Sequence, residues 1–273
     1  MLQYFSQDID QIKISKVQYF SIAICFLMNV LDGMDVLVVS YCAPAIAQAL
    51  KLGPKTLGIV FSAGLVGMAI GAIFLAPYAD KFGRKKLILA SAFIMGFSVF
   101  LTALSENILQ LVIMRLISGL GIGCMLATTA TLTSENVLNN SKDFWVSLVI
   151  SGYPVGAVIS GYIAATVIPS YGWESMFILA GLTTLLTIPL TYFFLTESPQ
   201  FYLKKQPFGA LEKVNKLFIK MNLRPLDNLP EVKLNLKNKP LVSQLFSNKY
   251  KLSTLQLWAA LFFAFGCLYF LIS

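Results

Sequence analysis

Seven long apolar stretches constrain the fold of this chain more than any other feature of its sequence. A helix needs about 20 mostly apolar residues to cross a bilayer core of roughly 30 Å. Stretches of that kind lie at about 17–43, 56–79, 86–105, 108–133, 145–168, 174–195 and 252–272. They occupy most of the 273 residues, only 12% of which are charged, and the mean hydropathy is +0.73. The sequence therefore predicts an all-α, multi-pass integral membrane protein.

The spacing of the apolar stretches divides the chain into three parts. Short loops join the first six, so residues 1–196 are predicted to form a six-helix transmembrane bundle. Residues 197–251 are polar and lysine-rich and are predicted to be a cytoplasmic central linker. Residues 252–273 are predicted to form a seventh transmembrane helix.

One segment of the linker, FGALEKVNKLFIKMN, has the apolar spacing of an amphipathic helix. Leu211, Val214, Phe218 and Met221 recur at intervals of three or four residues, and the lysines between them face elsewhere. Such a helix either lies on the membrane surface or packs against the end of the bundle, and the pattern favours the two alternatives equally.

The basic residues predict how the chain is oriented. If the N-terminus is cytoplasmic, the short segments on that side carry seven basic residues, whereas the outer side carries only Lys51 and Lys55. The inner set comprises Lys13, Lys16, Lys81, Arg84, Lys85, Lys86 and Lys142. This asymmetry is typical of the positive-inside rule. The formal charge of +8 therefore reports orientation and does not indicate nucleic-acid binding.

The composition also excludes several kinds of site. The chain has no histidine, and its four cysteines include no Cys-x-x-Cys pair. Zinc sites and histidine-based catalysis are therefore excluded, and we predict no metal and no cofactor.

Three charged residues lie well inside the apolar spans, away from their ends. Asp32 and Asp35 are three residues apart in FLMNVLDGMDVLVVSYC and so share a helix face. One ionised aspartate at the bilayer centre costs about 2.5–3.5 kcal/mol on insertion scales, so the pair requires a partner. Counted at 1.5 Å per residue, Arg115 of the antiparallel fourth span reaches the same depth. The three residues form either a static ion pair or a site where an anionic substrate and a proton compete for the same charges.

A second group of charges joins the second and third spans, in APYADKFGRKKLI. Asp80 lies at a helix C-terminus, which is unfavourable for an acid unless Arg84, Lys85 or another helix N-terminus compensates. Gly83 permits the positive φ that such a short connection favours. By composition alone, this cluster indicates only the charge bias of the inner side.

Four stretches together resemble the major facilitator superfamily. ADKFGRKK resembles its loop motif Gly-x-x-x-Asp-Arg/Lys-x-Gly-Arg/Lys-Arg/Lys, with Ala76 in place of the first glycine. RLISGLGIG, which begins at Arg115, resembles the fourth-helix motif. TESPQFYL resembles the Pro-Glu-Ser-Pro exit motif, with Thr196 in place of the first proline. LDGMDVLVVSYCAPAIAQAL resembles the first helix of the aromatic acid:proton symporters.

This resemblance implies a fold and a set of roles. The fold is the N-terminal six-helix half of a major facilitator transporter plus a seventh helix, truncated before the second half. Asp32, Asp35 and Arg115 would serve substrate binding and proton coupling, and so would Glu135 in TLTSENV, which matches a family acid near the inner surface. A gating loop would comprise Asp80, Gly83, Arg84 and Lys85.

The function implied by the resemblance is symport of small aromatic or related carboxylic acids with protons. The partners would be the carboxylate substrate, protons, the lipid bilayer of a bacterial inner membrane and a missing second half. Three alternatives remain: a transporter of another solute such as a sugar, a half-transporter subunit, or a non-transporting remnant.

An enzyme alternative rests on the pair Asp32-Gly33. The same dipeptide opens the metal motif of phosphatidyl-alcohol transferases, but those enzymes need Ala-Arg soon afterwards and further aspartates on the next helix. Met34 and Asp35 follow here, and the second span has no acid before Asp80. We therefore predict that the chain is not an enzyme.

Overall fold

The computed structural model describes residues 14–137, 141–230, 246–247 and 250–272. Lys13 and residues 231–245, 248 and 249 of the predicted linker lie outside the described residues. The chain divides into two compact units, residues 1–229 and 230–273.

The first unit contains six helices long and apolar enough to cross a membrane, as predicted. They are α1 (Lys16–Ala49), α2 (Pro54–Ile70) with its continuation to Phe82, α4 (Arg84–Thr102), α5 (Ile108–Asn136), α6 (Lys142–Tyr171) and α7 (Trp173–Phe194). The largest difference from the predicted spans is in α1, which continues through Pro44 to Ala49. Two short helices follow, α8 (Pro199–Lys205) and α9 (Ala210–Lys220). The second unit contains a seventh long helix, α10 (Lys251–Ile272).

Local signals in the sequence account for the helix starts. Ser15 and Gln18 form a reciprocal capping box at the start of α1, and the Asn107 side chain accepts from the backbone N–H of Gln110 at the start of α5. Pro54 occupies the first turn of α2, where its missing N–H costs nothing. These caps place the helix ends at the predicted loops.

The C-terminal part of the second span is irregular because of Pro77. A π-helical turn covers Gly71–Leu75, a 3₁₀ turn covers Ala76–Tyr78, and the four-residue helix α3 covers Ala79–Phe82. Proline has no N–H to donate, and its ring would clash with the carbonyl four residues earlier in a regular α-helix. The widened turn avoids this clash and carries the span to its end at Gly83.

Helices α1 and α5 form the inside of the bundle. α1 packs against α5, α6 and α7, whereas α5 also packs against α2 and α4. Of the most apolar window of each helix, 78% is buried in α1 and 56% in α5, against 22% in the second span. The two helices that carry the predicted intramembrane charges are therefore the two that are most enclosed by protein.

The small residues four apart are places where helix backbones meet. In the α2–α5 pair, a Cβ at Gly119 would lie 3.0 Å from the Cα of Gly67, and a Cβ at Gly123 would overlap the backbone oxygen of Met68. In the α1–α6 pair, a Cβ at Gly156 would overlap the backbone oxygen of Val30. Contact this close strengthens packing between helices where lipid supplies no hydrophobic drive.

Helix α9 corresponds to the amphipathic segment that was predicted either to lie on the membrane surface or to pack against the end of the bundle. Val214, Leu217, Phe218 and Met221 are buried by protein. Leu217 lines a cleft together with Phe193 and Leu195, at the end of α7. The amphipathic helix therefore packs against the end of the bundle, and its lysines stay exposed at the edge of this contact.

We predict that Gly123→Ala destabilises the bundle and that Gly58→Ala does not. The first methyl overlaps the α2 backbone, and overpacking of this kind costs about 1–3 kcal/mol. The second faces open space on α2 itself and replaces a poor helix former, so its effect should be below about 1 kcal/mol and stabilising. Thermal unfolding of the purified variants in detergent measures both. Equal stability of the two variants would contradict the close-contact role of Gly123.

Candidate functional site

A buried ion pair joins α1 to α5. The guanidinium of Arg115 donates from Nη2 to the Asp35 Oδ1 at 3.2 Å and from Nη1 to the Asp35 backbone oxygen at 3.4 Å. Asp35 is 2% exposed and Arg115 is 4% exposed. Because only one carboxylate oxygen accepts, the pair is not the two-bond fork of which arginine is capable.

Two further groups hold the Arg115 guanidinium in place. Its Nη2 lies 3.5 Å from the hydroxyl of Thr102 on α4, and its Cζ lies 5.1 Å from the ring centre of Phe177 on α7. A cation over an aromatic face is attracted by the negative face of the ring. Among the described residues, Nε of Arg115 and Oδ2 of Asp35 have no hydrogen-bond partner. The pair therefore leaves one donor and one acceptor unused.

Asp32 lies one turn away on α1 and is fully buried. Within the part of the chain that the structure describes, neither of its carboxylate oxygens has a hydrogen-bond partner. An ionised carboxylate without a partner is costly at such a place, whereas a protonated one removes the charge. The structure thus distinguishes the two acids, because Asp35 is paired with Arg115 and Asp32 is not.

Asn29 extends the same helix face, and the sequence analysis missed it. Its amide donates to the backbone oxygen of Cys25 at 2.9 Å and to the Thr129 hydroxyl oxygen at 3.0 Å. The Thr129 hydroxyl donates its proton to the backbone oxygen of Met125, so it can only accept from Asn29. The amide nitrogen of Asn29 must therefore face Thr129. The Asn29 Oδ1 is then a buried acceptor with no partner among the described residues. Its signal in the sequence was the three-residue spacing from Asp32.

A second charge cluster lies where the second and third spans meet. Arg84, 4% exposed, donates to Asp80, to Glu135 Oε1 at 2.9 Å and to the backbone oxygen of Ala79 at 3.2 Å. Glu135 is at the end of α5. The structure therefore places Glu135 with the predicted gating residues, not in the Asp35–Arg115 pair with which the sequence analysis grouped it.

Glu197 closes this second cluster, although the sequence analysis assigned it no role. Its Oε1 accepts from the backbone N–H of Arg84 at 2.8 Å and of Ser198 at 3.0 Å, and its Oε2 accepts from that of Lys85 at 3.2 Å. It thus caps the N-terminus of α4 from 113 residues away in sequence. The signal was present in the exit motif TESPQFYL.

Gly83 makes this cap possible. Its φ of +103° is a conformation that residues with a Cβ adopt at a cost, and a Cβ there would overlap the Glu197 carboxylate. Lys85 continues the contact to α7, because its Nζ donates to the backbone oxygen of Tyr192 at 2.6 Å and lies 5.2 Å from that ring centre. The four predicted gating residues therefore lie in one cluster that joins α3, α4, α5 and the start of α8.

Burial raises the pKa of Glu197 above the ordinary value for a glutamate. The backbone hydrogen bonds from Ser198, Lys85 and Arg84, together with the Arg84 charge, oppose this by favouring the anion. Glu212 on α9 behaves in the opposite way, because the exposed Lys216 ammonium bonds to it and lowers its pKa. No group of three or more His, Cys, Asp or Glu side chains within the described ranges is arranged to hold a metal ion.

Comparison with known proteins identifies a family. The family profile described as Major Facilitator Superfamily matches residues 25–273. The inward-open xylose transporter XylE from E. coli has a similar fold, with a TM-score of 0.63 and 21% identity over 75% of this chain and 54% of that one. At that identity the likeness concerns the fold alone.

Curated relatives are closer in sequence. A gallate transporter of Pseudomonas putida is 32% identical over 96% of this chain and 58% of its own length. The 4-hydroxybenzoate transporter PcaK of Acinetobacter baylyi is 34% identical over 97% of this chain and 59% of its own length. The chain thus spans somewhat more than half of these relatives.

We predict that Glu197 makes stability depend on pH. Because the pKa of Glu197 is raised in the folded state, its contribution to the free energy of unfolding is fully present below the ordinary glutamate pKa. That contribution is lost as pH rises through the pKa that Glu197 has in the folded protein. The glutamine of the Glu197→Gln variant stays neutral at every pH. The unfolding temperature of this variant should therefore rise relative to that of the wild type as pH rises. Glu212→Gln is the control, since its lowered pKa gives the opposite sign. A Glu197→Gln difference that is constant with pH would contradict the role of burial.

Proposed function

Because the chain belongs to the Major Facilitator Superfamily, we propose that it supplies the substrate and proton sites of a proton-coupled symporter of small aromatic carboxylic acids. The relatives, which include gallate and 4-hydroxybenzoate transporters, support this substrate class. The activity proposed is that of the whole transporter, of which the relatives are longer examples.

Family membership agrees with two predictions from the sequence. The fold class, a six-helix half of a major facilitator fold plus a seventh helix, is confirmed, and so is the prediction that the chain is not an enzyme. The similarity to the xylose transporter does not support sugar as the substrate, because it shows the fold alone. The domain boundaries and the roles of the site residues stay predictions.

The observation that carries the proposal is the buried Arg115–Asp35 ion pair, in which only one hydrogen bond joins the two side chains. A substrate carboxylate has the two oxygens that a guanidinium binds best, in the forked geometry that Asp35 leaves unused. The substrate therefore competes with Asp35 for Arg115. Phe177 and Thr102 keep the guanidinium in place during this exchange.

Proton coupling follows from the same competition. When the substrate carboxylate binds Arg115, the Asp35 carboxylate loses its positive partner inside a low-dielectric bundle. It then binds one proton and becomes a neutral carboxyl, so one anion and one proton load together. Asp32, buried and unpartnered on the adjacent turn, passes the proton between Asp35 and water. Release of the substrate on the other side restores the ion pair and expels the proton.

The second cluster supplies the gate in this proposal. Arg84 links α4 to α5 through Glu135 and to α3 through Asp80, and Glu197 links the same turn to the start of α8. These bonds must be kept or broken together, because they share one guanidinium and one helix N-terminus. A network of this kind has two discrete arrangements, one with all the bonds made and one with all of them broken, as a gate requires.

We also propose a bacterial inner membrane with the N-terminus and residues 197–251 in the cytoplasm, as the lysine distribution indicates. The change Lys220→Cys tests the orientation, since Lys220 is exposed at the end of α9. We expect a membrane-impermeant thiol reagent to label this cysteine in inside-out vesicles only. A cysteine placed at exposed Lys55 is the control and should label in intact cells. Labelling of position 220 in intact cells would contradict the orientation.

The transport test uses this chain joined to the second half of the A. baylyi relative and measures proton-driven uptake of 4-hydroxybenzoate. Asp32→Asn should abolish accumulation because it removes the relay, and Asp35→Asn should weaken it at least as strongly because it removes the carboxylate that binds the proton. Arg115→Lys should weaken apparent affinity about tenfold or more, because an ammonium lacks the planar fork. Asp143→Asn, at an exposed acid on α6, should transport normally.

The outcomes separate the remaining alternatives. Normal accumulation by the Asp32→Asn, Asp35→Asn double variant would show that the acids are structural. The 273-residue chain alone should show no saturable uptake, because the substrate cavity of this fold lies between two halves. Robust uptake by that chain would indicate self-assembly, and no uptake even in the joined protein would favour a non-transporting remnant.

A further inference from the structure

A basic cleft lies where α9 packs against the ends of α4 and α7. Its volume is about 250 Å³, and its wall includes Lys85 of α4 and three lysines of α9, namely Lys213, Lys216 and Lys220. We call it the lysine cleft. We propose that the lysine cleft binds the phosphate of an anionic phospholipid.

The charge balance of the cleft calls for an anion. Four ammonium groups line it against one carboxylate, that of Glu197. The oxygens of Glu197 are directed at the backbone N–H groups of Arg84, Lys85 and Ser198, so this acid serves the helix cap. Like charges gathered on a concave surface repel one another, and an anion bound between them relieves that repulsion.

The lysines keep hydrogen-bond donors for such a ligand. An ammonium group has three donors. Lys85 uses one on the Tyr192 backbone oxygen, Lys213 uses one on that of Phe208, and Lys216 uses one on Glu212. The Lys216–Glu212 pair is exposed on both sides and is worth little by itself. Two donors on each of these lysines are thus left for phosphate oxygens.

The apolar side of the cleft indicates a lipid over free phosphate. Phe193 lines the cleft and is 77% exposed on α7, a helix apolar enough to cross a membrane. Lys85 lies in the first turn of α4, another such helix. The lysine cleft is therefore at the level where phospholipid headgroups lie, and an acyl chain can run along Phe193.

The position of the cleft links such a lipid to the gate cluster. Glu197 lines the cleft and also caps α4 next to Gly83, and Lys85 donates to α7. A phosphate bound by Lys85 and by the lysines of α9 would join α4 to α9 beside this cap. The bound lipid would hold these elements together, and this inference does not depend on which substrate the protein carries.

The test measures lipid binding to the purified full chain in detergent by native mass spectrometry and by thermal unfolding. The probes are phosphatidylglycerol, phosphatidylcholine and inorganic phosphate. We expect phosphatidylglycerol to be retained and to raise the unfolding temperature, and the other two to have little effect. The variant Lys213→Gln, Lys216→Gln, Lys220→Gln should weaken phosphatidylglycerol binding about tenfold or more.

A matched control removes the same charge elsewhere. The variant Lys142→Gln, Lys204→Gln, Lys205→Gln changes three exposed lysines outside the cleft and should bind within about twofold of the wild type. Where the cleft variant proves unstable, Lys220→Gln alone, at the exposed end of α9, replaces it and should still weaken binding. Equal losses in cleft and control variants would overturn the site. Equal stabilisation of the wild type by inorganic phosphate and by phosphatidylglycerol would overturn the lipid assignment, as would equal retention of phosphatidylcholine.

Discussion

The buried contact between Arg115 and Asp35 is the interaction on which the rest of this structure depends. A bilayer offers no water to charged groups, so an arginine and an aspartate within the spans require each other and a protein enclosure. The enclosure is α1 and α5 at the inside of the bundle, with the other helices around them. The glycines of α5 and α6 let neighbouring backbones approach closely enough to complete it.

The enclosure also explains why the two aspartates differ. Arg115 reaches Asp35 and is held there by Thr102 and Phe177, whereas Asp32 faces the interior without a partner among the described residues. One helix face thus carries a paired carboxylate at Asp35 and a carboxylate without a partner at Asp32, on adjacent turns. Asn29, one turn further along, adds a neutral acceptor to the same face.

The two charge clusters are stabilised in different ways. The Asp35–Arg115 pair lies deep in apolar surroundings, so its energy depends on pairing. The second cluster lies at the ends of α3, α4 and α5, where Glu197 neutralises the positive end of α4 and Arg84 links three elements. The helix N-terminus favours the Glu197 anion and burial opposes it, and the positive φ of Gly83 lets the start of α4 approach this carboxylate.

The sequence by itself determined the spans, the local caps of α1 and α5, the amphipathic pattern of α9 and the motif residues, because each of these depends on neighbours along the chain. It also predicted that Asp32, Asp35 and Arg115 share one depth, since rise per residue is constant. Only the tertiary structure decided that Arg115 pairs with Asp35 and not Asp32, that Glu135 joins Arg84, that Glu197 caps α4 and that α9 packs against the bundle. These contacts join residues 51 to 113 positions apart, or depend on which face of a helix is covered. Helix rotation and packing set them, and no local pattern in the sequence records either one.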